Sequence, residues 1–188
     1  LRDIKYAHPW LKLVEKSHSK FVNELVFVQK QARDFGEKYI DPVTLEIDKK
    51  VEHSHDYFAW DLIHQATEYR FLSYLIPKGF GGLGFGTTHF AILMEELCSF
   101  CPGVANIFGA HALGISPILM APDIKHFEKY LRQVAKSEKE GKPELFALAI
   151  TEPGAGSDVE DVDHMKTAKL CTWAKKVDGG YILNGRKV

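Results

Sequence analysis

The residues best suited to chemistry lie in a turn-rich stretch at 150–158, which reads ITEPGAGSD. It follows a short apolar run, so two glycines and Ser157 come directly after an expected buried strand. Backbone amides and hydroxyls presented at such a fixed edge suit an anionic ligand. Spacing alone favours the simpler interpretation, a Pro-Gly turn closed by an Asx-type hydrogen bond to Asp158.

Two other groups of reactive residue types are close in sequence, and their placement argues against catalysis. Glu95 and Glu96 would point about 100° apart on a helix, so they cannot address one substrate atom, and we expect a solvent-exposed face. Cys98 and Cys101 fall at a predicted helix C-terminus, where the helix dipole does not lower a thiol pKa. Zinc would need a second ligand pair, and the remaining thiol is the distant Cys171. We interpret the pair as buried structural cysteines.

The histidines and the glycine-rich run give weak signals. His53 and His55 lie in an expected linker with no cysteine nearby, and His18 falls on the inner face of an amphipathic helix. The glycines at 79–86 follow a helix, whereas phosphate-binding loops of the dinucleotide and P-loop types follow a strand. We therefore expect no metal site and a tight helix-to-helix turn.

Composition indicates an ordinary soluble globular protein. The 188 residues are 45% hydrophobic and 26% charged, enough for one large domain or for one domain and part of another. Lys plus Arg number 24 against 25 acidic residues, so no basic field exists to attract nucleic acid or an anionic membrane. Three cysteines in a chain of this length cannot form a disulfide framework, which indicates a reducing compartment, the cytoplasm or the mitochondrial matrix of a eukaryote. The first ten residues show no leader pattern and begin with Leu1, so we expect a processed chain.

Apolar periodicity predicts helices in the first three quarters of the chain. The helices are expected at about 11–35, 56–74, 87–101, 104–119 and from 122 to 135, with a linker at 40–55 and an exposed charged connection at 136–142. The inner face of the fifth helix is expected to carry Ile124, Phe127, Leu131 and Val134.

After residue 143 the pattern changes to strands. Residues 145–151 predict a buried strand, and 166–177 and 181–183 predict a hairpin joined through the turn at 178–180. Asn184-Gly185 is a turn dipeptide that normally leads into a further strand. The fold class is therefore mainly α, with a helical domain at 1–143 and the beginning of a β-domain at 144–188.

One segment is long enough to cross a membrane. No charged residue occurs between Glu96 and Asp123, which exceeds the roughly 18 residues that a spanning helix needs. Polar groups such as Asn106 and His111 are costly in lipid. We interpret the segment as a helix buried on all sides within the helical domain, and predict no membrane span.

The segment ITEPGAGSD resembles the signature of the acyl-CoA dehydrogenase family of flavoenzymes. GFGGLG at 79–84, MEEL at 94–97, LGISPIL at 113–119 and GGYILNGRKV at 179–188 also occur in the family's order. The resemblance covers essentially the whole chain. It implies that 1–143 is the family's helical N-terminal domain, and that 144–188 opens the middle β-domain, which holds FAD. A C-terminal four-helix domain would lie beyond this chain.

Contacts to cofactor and substrate are also implied by the resemblance. The cofactor-binding residues would be Leu148, Ala149 and Ile150 beside the isoalloxazine, Thr151 near its N5, and Gly156 and Ser157 at the pyrophosphate. Ser157 would lie close to the CoA part of the substrate as well. Ala105, Asn106 and Gly109 match positions that line the acyl pocket, where small residues leave room for a long or bulky acyl group.

The implied reaction is α,β-dehydrogenation of an acyl-CoA thioester to the trans-2-enoyl-CoA, with hydride passing to FAD and electrons to an electron-transfer flavoprotein. The family's base is a Glu of the C-terminal domain, so no catalytic residue is assigned here and this chain alone is expected to be inactive. The complete enzyme is expected to be a homodimer or homotetramer.

Two alternatives remain open on the sequence. The chain could be a helical protein-interaction domain that binds no cofactor, or a family member with lost or altered activity. Binding of flavin by the complete protein distinguishes the first alternative, and turnover distinguishes the second.

Overall fold

The structure, a computed structural model, describes residues 8–121 and 123–188. Two compact units result, a helical unit that ends at Ala147 and a smaller unit at Leu148–Val188. Helices predominate in the first unit, and a β-hairpin is the regular structure described in the second. The mainly α fold class is thereby confirmed. The interpretations that concern the first seven residues and Pro122 lie outside the described residues.

The helical unit is built from α-helices joined by short turns. They are α1 (Trp10–Glu15), α2 (Ser19–Phe35), α3 (Thr44–His53), α4 (Trp60–Ala66), α5 (Thr87–Cys98), α6 (Pro102–Met120), α7 (Ile124–His126) and α8 (Arg132–Lys139). A π-helical turn at Phe127–Leu131 joins α7 to α8, so that 124–139 is one continuous helical stretch.

Helix α2 forms one wall of the core because its apolar residues recur every three or four positions. Leu25, Val28 and Phe35 are buried on that stripe. The single helix predicted over 11–35 is broken into α1 and α2, and His18, predicted on the inner face, is exposed at the break. The apolar spacing continues across the interruption, so periodicity did not reveal it.

Residues 40–55, predicted as a linker, are mostly helical. Asp41–Val43 forms a 3-10 turn that contains Pro42, and α3 follows directly. Proline is tolerated in a first turn because its missing N–H would have no helical partner there. Of the α3 residues only Ile47 is buried. The linker prediction is wrong because a helix that buries one residue leaves almost no apolar period in the sequence.

The second predicted helix, 56–74, is shorter in the structure. Helix α4 ends at Ala66, and two 3-10 turns continue the chain to Ser73. Between these turns Arg70 has a φ of 62°, the one positive φ of a non-glycine residue in the described part of the chain. Such a left-handed conformation is strained for a residue with a Cβ and persists only where surrounding contacts hold it.

Glu138 provides those contacts as a buried carboxylate. Its Oε2 accepts hydrogen bonds from the Arg70 Nε at 3.0 Å and from the Ser73 hydroxyl. Its Oε1 accepts the backbone N–H of Leu72 at 2.7 Å. Arg70 also donates to the Gly81 carbonyl at 2.8 Å. Burial raises the pKa of Glu138, while these donors favour its ionised form.

The exposed connection predicted at 136–142 is therefore wrong in its first part, because α8 continues into it and Glu138 is 1% exposed. Leu131 and Val134 are buried as predicted. Ile124, also predicted on the inner face, is 70% exposed. It is the first residue of the helical stretch, and only later residues of that stretch pack in the core.

A second buried carboxylate joins α2 to α5. Glu96 is 4% exposed and accepts hydrogen bonds from the Gln29 Nε2 and the Arg33 Nη2, each at 2.5 Å. The predicted solvent-exposed face is correct for Glu95 and wrong for Glu96. Neighbouring helical positions point in different directions, so one carboxylate meets the adjacent helix while the other meets solvent.

The glycine-rich loop at 79–86 connects two helical segments, as predicted. Gly81 and Gly84 have φ values of 90° and 66°, which glycine adopts without strain. The amides of 83–85 donate to carbonyls of residues 73–76. These amides are used within the protein, which agrees with the predicted structural turn.

Helices α5 and α6 lie close to their predicted positions, and α6 packs against α5. Val104, Phe108 and Ile115 of α6 are buried, whereas Leu113 is 58% exposed. The prediction of a helix buried on all sides is thus wrong. By length and composition alone α6 is the one described helix that could cross a membrane, a criterion that core helices of soluble proteins also meet. Its packed face supports a core helix.

In the second unit β1 (Trp173–Val177) pairs antiparallel with β2 (Gly180–Asn184). Gly179 has a φ of 78° in the turn between them, which agrees with the hairpin predicted through the turn at 178–180. The first strand starts at Trp173, so residues 166–172 do not belong to it.

Residues 145–151, predicted as a buried strand, form no strand. A strand needs a neighbour that accepts its backbone hydrogen bonds, and no described segment pairs with these residues along their length. An apolar run with strand composition is therefore not sufficient to form one.

We predict that Glu138→Gln lowers the free energy of unfolding by about 3 kcal/mol, because it leaves the Arg70 guanidinium without its charged partner. Urea denaturation at neutral pH measures this change. Glu128→Gln is the matched control, since its pair with Arg132 is exposed and its loss should hardly move the midpoint. Equal losses in the two variants would contradict the role of Glu138.

Candidate functional site

The extended run at 148–151 in the second unit is tethered near its end. The Lys187 Nζ donates to the Ile150 carbonyl at 2.8 Å, and the Val188 N–H donates to the Thr151 carbonyl at 3.0 Å. These two hydrogen bonds fix the backbone of the run at residues 150 and 151.

The side chains of this run are available to a ligand. Leu148 is 40% exposed, Ala149 and Thr151 are exposed, and Ile150 is half-buried. Exposed apolar side chains on a tethered backbone offer a surface against which a flat aromatic group can pack. The exposed Thr151 adds a hydroxyl that can donate or accept a hydrogen bond at its edge.

Glu152, which follows immediately, is a buried structural carboxylate. It accepts hydrogen bonds from the Cys171 N–H at 2.6 Å and the Thr172 N–H at 3.0 Å, and pairs with the Lys187 Nζ at 3.0 Å. These donors, the Cys171 amide first, lower its pKa to about 2. A carboxylate held in its ionised form by three partners is unsuited to carry a proton at neutral pH.

Sequence reasoning assigned no role to Glu152, and its partners lie 19 to 35 residues away, out of reach of any local pattern. A carboxylate requires donors from the protein only where it is buried, and the burial of Glu152 appears in the structure alone. No signal in the sequence could therefore have found its role.

Residues 156–158 form a tight turn at the start of a 3-10 helix. The Gly156 N–H donates to the Asp158 Oδ1 at 2.6 Å. Asp158 therefore closes the turn, but the donor precedes it by two residues, whereas in the Asx-type bond of the simpler interpretation the donor follows the Asp by two residues. Gly156 and Ser157 are both exposed, and a Cβ at Gly156 would meet no atom within 4 Å. Open space therefore adjoins the turn, and an anion that accepts the Gly156 N–H there has to replace the Asp158 carboxylate.

The three residues predicted to line an acyl pocket lie on α6 in the helical unit. Asn106 is exposed and lines a cavity of about 700 Å³, together with Phe58 and Trp60. Ala105 is fully buried in the helical core, which favours a packing role over a pocket-lining one. Gly109 is half-buried, and a Cβ there would lie 3.2 Å from the Met94 Cε.

Among the residues that the structure describes, no group of three His, Cys, Asp or Glu side chains is arranged to hold a metal ion. Cys101 is buried as predicted, whereas Cys98 is exposed because it ends α5 on the solvent side, and both thiols are free. The C-x-x-C spacing therefore forms neither a disulfide nor a metal site in this structure.

Comparison with known proteins gives one family. The family model for the acyl-CoA dehydrogenase N-terminal domain matches residues 23–138. The 3-(aryl)acrylate reductase of Clostridium sporogenes is 34% identical over 169 residues, which are 89% of this chain and 40% of that protein. The caffeyl-CoA reductase-Etf complex subunit CarC of Acetobacterium woodii is 32% identical over the same shares. The chain thus spans about 40% of the length of these curated relatives.

The fold agrees with this result. An acyl-CoA dehydrogenase of Bacillus anthracis, solved in complex with FAD, matches the structure with a TM-score of 0.68 and 28% sequence identity. The match covers 88% of this chain and 26% of that one.

The lowered pKa of Glu152 predicts how the stability of the second unit changes with pH. Its ionised form stabilises the second unit above its ordinary pKa of 4.5, and that contribution is lost as the pH falls through about 2. We expect the Cys171 and Thr172 amides to keep their protection against hydrogen exchange down to about pH 4, after correction for the intrinsic rate. Glu152→Gln should remove that protection already at pH 7.

Asp161→Asn is the matched control, because Asp161 is an exposed carboxylate of the same unit that binds His164. It should leave both amides protected. Unchanged protection in the Glu152 variant would show that the carboxylate does not hold this unit together.

Proposed function

Because this chain belongs to the acyl-CoA dehydrogenase family, we propose that it is part of an FAD-dependent oxidoreductase that acts on the α,β carbon–carbon bond of an acyl-CoA thioester. The observation that carries the proposal is a pair of features close in the chain. Residues 148–151 present mostly exposed side chains, and the turn at 156–157 adjoins open space. This segment lies outside the residues that the family model matches, 23–138, so its resemblance to the flavoenzyme signature is separate support.

The residues present fit FAD. Leu148, Ala149 and Ile150 would border the isoalloxazine ring with their apolar surface, and the Thr151 hydroxyl would meet its polar edge. Gly156 and Ser157 would bind the pyrophosphate, since a Cβ-free position beside open space allows an anion to reach the backbone. When bound, FAD supplies an acceptor or donor for hydride, which no protein side chain provides.

The direction of the reaction has two candidates. In dehydrogenation, the α-carbon gives up a proton to a carboxylate and the β-carbon gives up a hydride, which leaves the trans-2-enoyl thioester. The reverse, reduction of an α,β-unsaturated thioester by hydride and a proton, is supported by the names of the two curated relatives, both reductases. We propose dehydrogenation as the first candidate and reduction of an aryl-substituted enoyl thioester as the second.

The proton in either direction is assigned to a carboxylate outside this chain. Glu96, Glu138 and Glu152 are each buried and bound by donors of the protein, so they hold structure together and are not free to exchange a proton with substrate. Within this chain, Ser157 and Asn106 are the residues proposed to meet substrate, at its CoA part and at its acyl part.

An electron-transfer flavoprotein is the proposed electron partner, supported by the relative that is named as a subunit of an Etf complex. We propose a homodimer or homotetramer for the complete protein. A reducing compartment, the cytoplasm or the mitochondrial matrix, agrees with the free cysteines at 98, 101 and 171.

The test uses the complete protein, purified and loaded with FAD, under anaerobic conditions. Flavin absorbance that bleaches on addition of a saturated acyl-CoA indicates dehydrogenation, and reduced flavin that regains its colour with an aryl-substituted enoyl-CoA indicates reduction. A protein that remains colourless after incubation with FAD would overturn the proposal and favour a helical interaction domain. Flavin that responds to neither thioester would indicate an altered family member.

Ser157→Ala should weaken FAD binding by about tenfold, because it removes one hydrogen bond to a charged group. Equilibrium titration of the flavin-free complete protein with FAD measures the loss. Ser17→Ala is the control, since this exposed hydroxyl bonds only to near neighbours in the described chain, the Val14 carbonyl and the His18 ring. Equal affinity of the two variants would remove Ser157 from the cofactor site.

A further inference from the structure

The chain enters the proposed flavin run through residues 143–147, which have no regular structure yet pack closely on α6. A Cβ at Gly114 would lie 2.6 Å from the Ala147 nitrogen, so the approach requires glycine at that position of the helix. Leu145 and Phe146 also pack against the helical core. Residue 148, the first residue of the run, follows this segment directly in the chain.

A buried histidine on α6 binds this segment. The Phe146 backbone N–H donates to the His111 Nδ1 at 3.0 Å, and the His111 Nε2 lies 2.9 Å from the Leu72 carbonyl oxygen. His111 is 2% exposed. Its ring therefore joins two segments, 71–73 and 143–147, that are separated by about 70 positions in the chain.

The two hydrogen bonds determine the protonation of the ring. A backbone N–H can only donate, so the Nδ1 of His111 must be the unprotonated nitrogen. A carbonyl can only accept, so the Nε2 carries the proton. Burial lowers the pKa of His111, in agreement with this neutral form. Both ring nitrogens are thus occupied, and neither is available to a ligand or a metal ion.

The connection continues to the buried carboxylate of the helical unit. The Leu72 N–H donates to the Glu138 Oε1 at 2.7 Å, and the carbonyl of the same residue accepts from His111. The N–H and the carbonyl of Leu72 belong to the two peptide groups that flank one residue, so the two hydrogen bonds hold Leu72 from both sides. Hydrogen bonds thus link Glu138 to Leu72, Leu72 to His111, and His111 to Phe146.

We propose that His111 is a positioning residue, whose Nδ1 fixes the Phe146 amide so that the chain enters the flavin-contacting run in the conformation that binds FAD. The statement about FAD binding rests on the proposed function. The statement that the His111 Nδ1 holds residues 143–147 concerns the helical unit by itself. His111 does not touch the reacting atoms and is not a catalytic residue.

Two substitutions test the hydrogen bonds of the two ring nitrogens one at a time. In His111→Asn the Oδ1 stands at the position of the histidine Nδ1, so it can accept the Phe146 N–H while the bond to Leu72 is lost. In His111→Gln the Nε2 stands at the position of the histidine Nε2, so it can donate to the Leu72 carbonyl while the bond to Phe146 is lost. Both variants are amides that remove the aromatic ring, so each serves as the control for the other.

The complete protein is measured in three ways: hydrogen exchange of peptides that cover 143–147, the dissociation constant for FAD, and the urea midpoint. We expect the Gln variant to lose protection at the Phe146 amide and to bind FAD about tenfold more weakly, the effect of one hydrogen bond. The Asn variant should keep both properties close to those of the parent. The urea midpoint should fall in both variants.

Equal loss of FAD affinity in the two variants would overturn the proposal, since a residue that only fills the core makes no distinction between them. Unchanged affinity in both would overturn it as well. Failure of the parent protein to bind FAD would instead overturn the proposed function. In that case the exchange data alone decide whether the Nδ1 of His111 holds the Phe146 segment.

Discussion

The buried carboxylate of Glu138 is the group on which the helical unit depends. A carboxylate without water around it is stable only where donors surround it, and here they come from a turn that lies about 65 positions earlier. Arg70 meets this requirement by adopting a strained left-handed backbone, which ends the preceding 3-10 turn. One electrostatic requirement therefore holds this turn, joins it to α8 through Glu138, and joins it to the glycine-rich loop through the bond from Arg70 to the Gly81 carbonyl.

Buried carboxylates repeat this arrangement elsewhere in the protein. Glu96 joins α2 to α5 through Arg33 and Gln29, and Glu152 joins the second unit's turn to the backbone just before β1. Removing one partner of such a group is costly, because the other is left with an unpaired charge or an unsatisfied donor. The acidic residues of this chain that are nearest to reactive-looking motifs thus serve structure, and their burial distinguishes them from a catalytic base, which must exchange protons with substrate.

The parts of the fold that were predictable from sequence are those that local pattern determines. Helices α5 and α6 follow from their apolar residues and the breakers between them, and the β-hairpin follows from its glycine turn. The strand expected at 145–151 and the linker expected at 40–55 failed because strand formation depends on a distant neighbour and α3 buries only Ile47. For the site, sequence identified the segment at 150–158, but the partners of Glu152 and the role of His111 depend on contacts between residues far apart.

The two interpretations of the turn at 156–158 share one feature, a Gly156 N–H that donates to an anionic group. In the structure the Gly156 N–H donates to the Asp158 carboxylate, and the position where a Cβ would lie at Gly156 is open. A diphosphate at the same amide would be a competing anion, and two like charges cannot share one donor without repulsion. The geometry that closes this turn on Asp158 therefore keeps the amide oriented toward an anionic group. The affinity for a diphosphate there is reduced by the hydrogen bond to Asp158 that it has to replace.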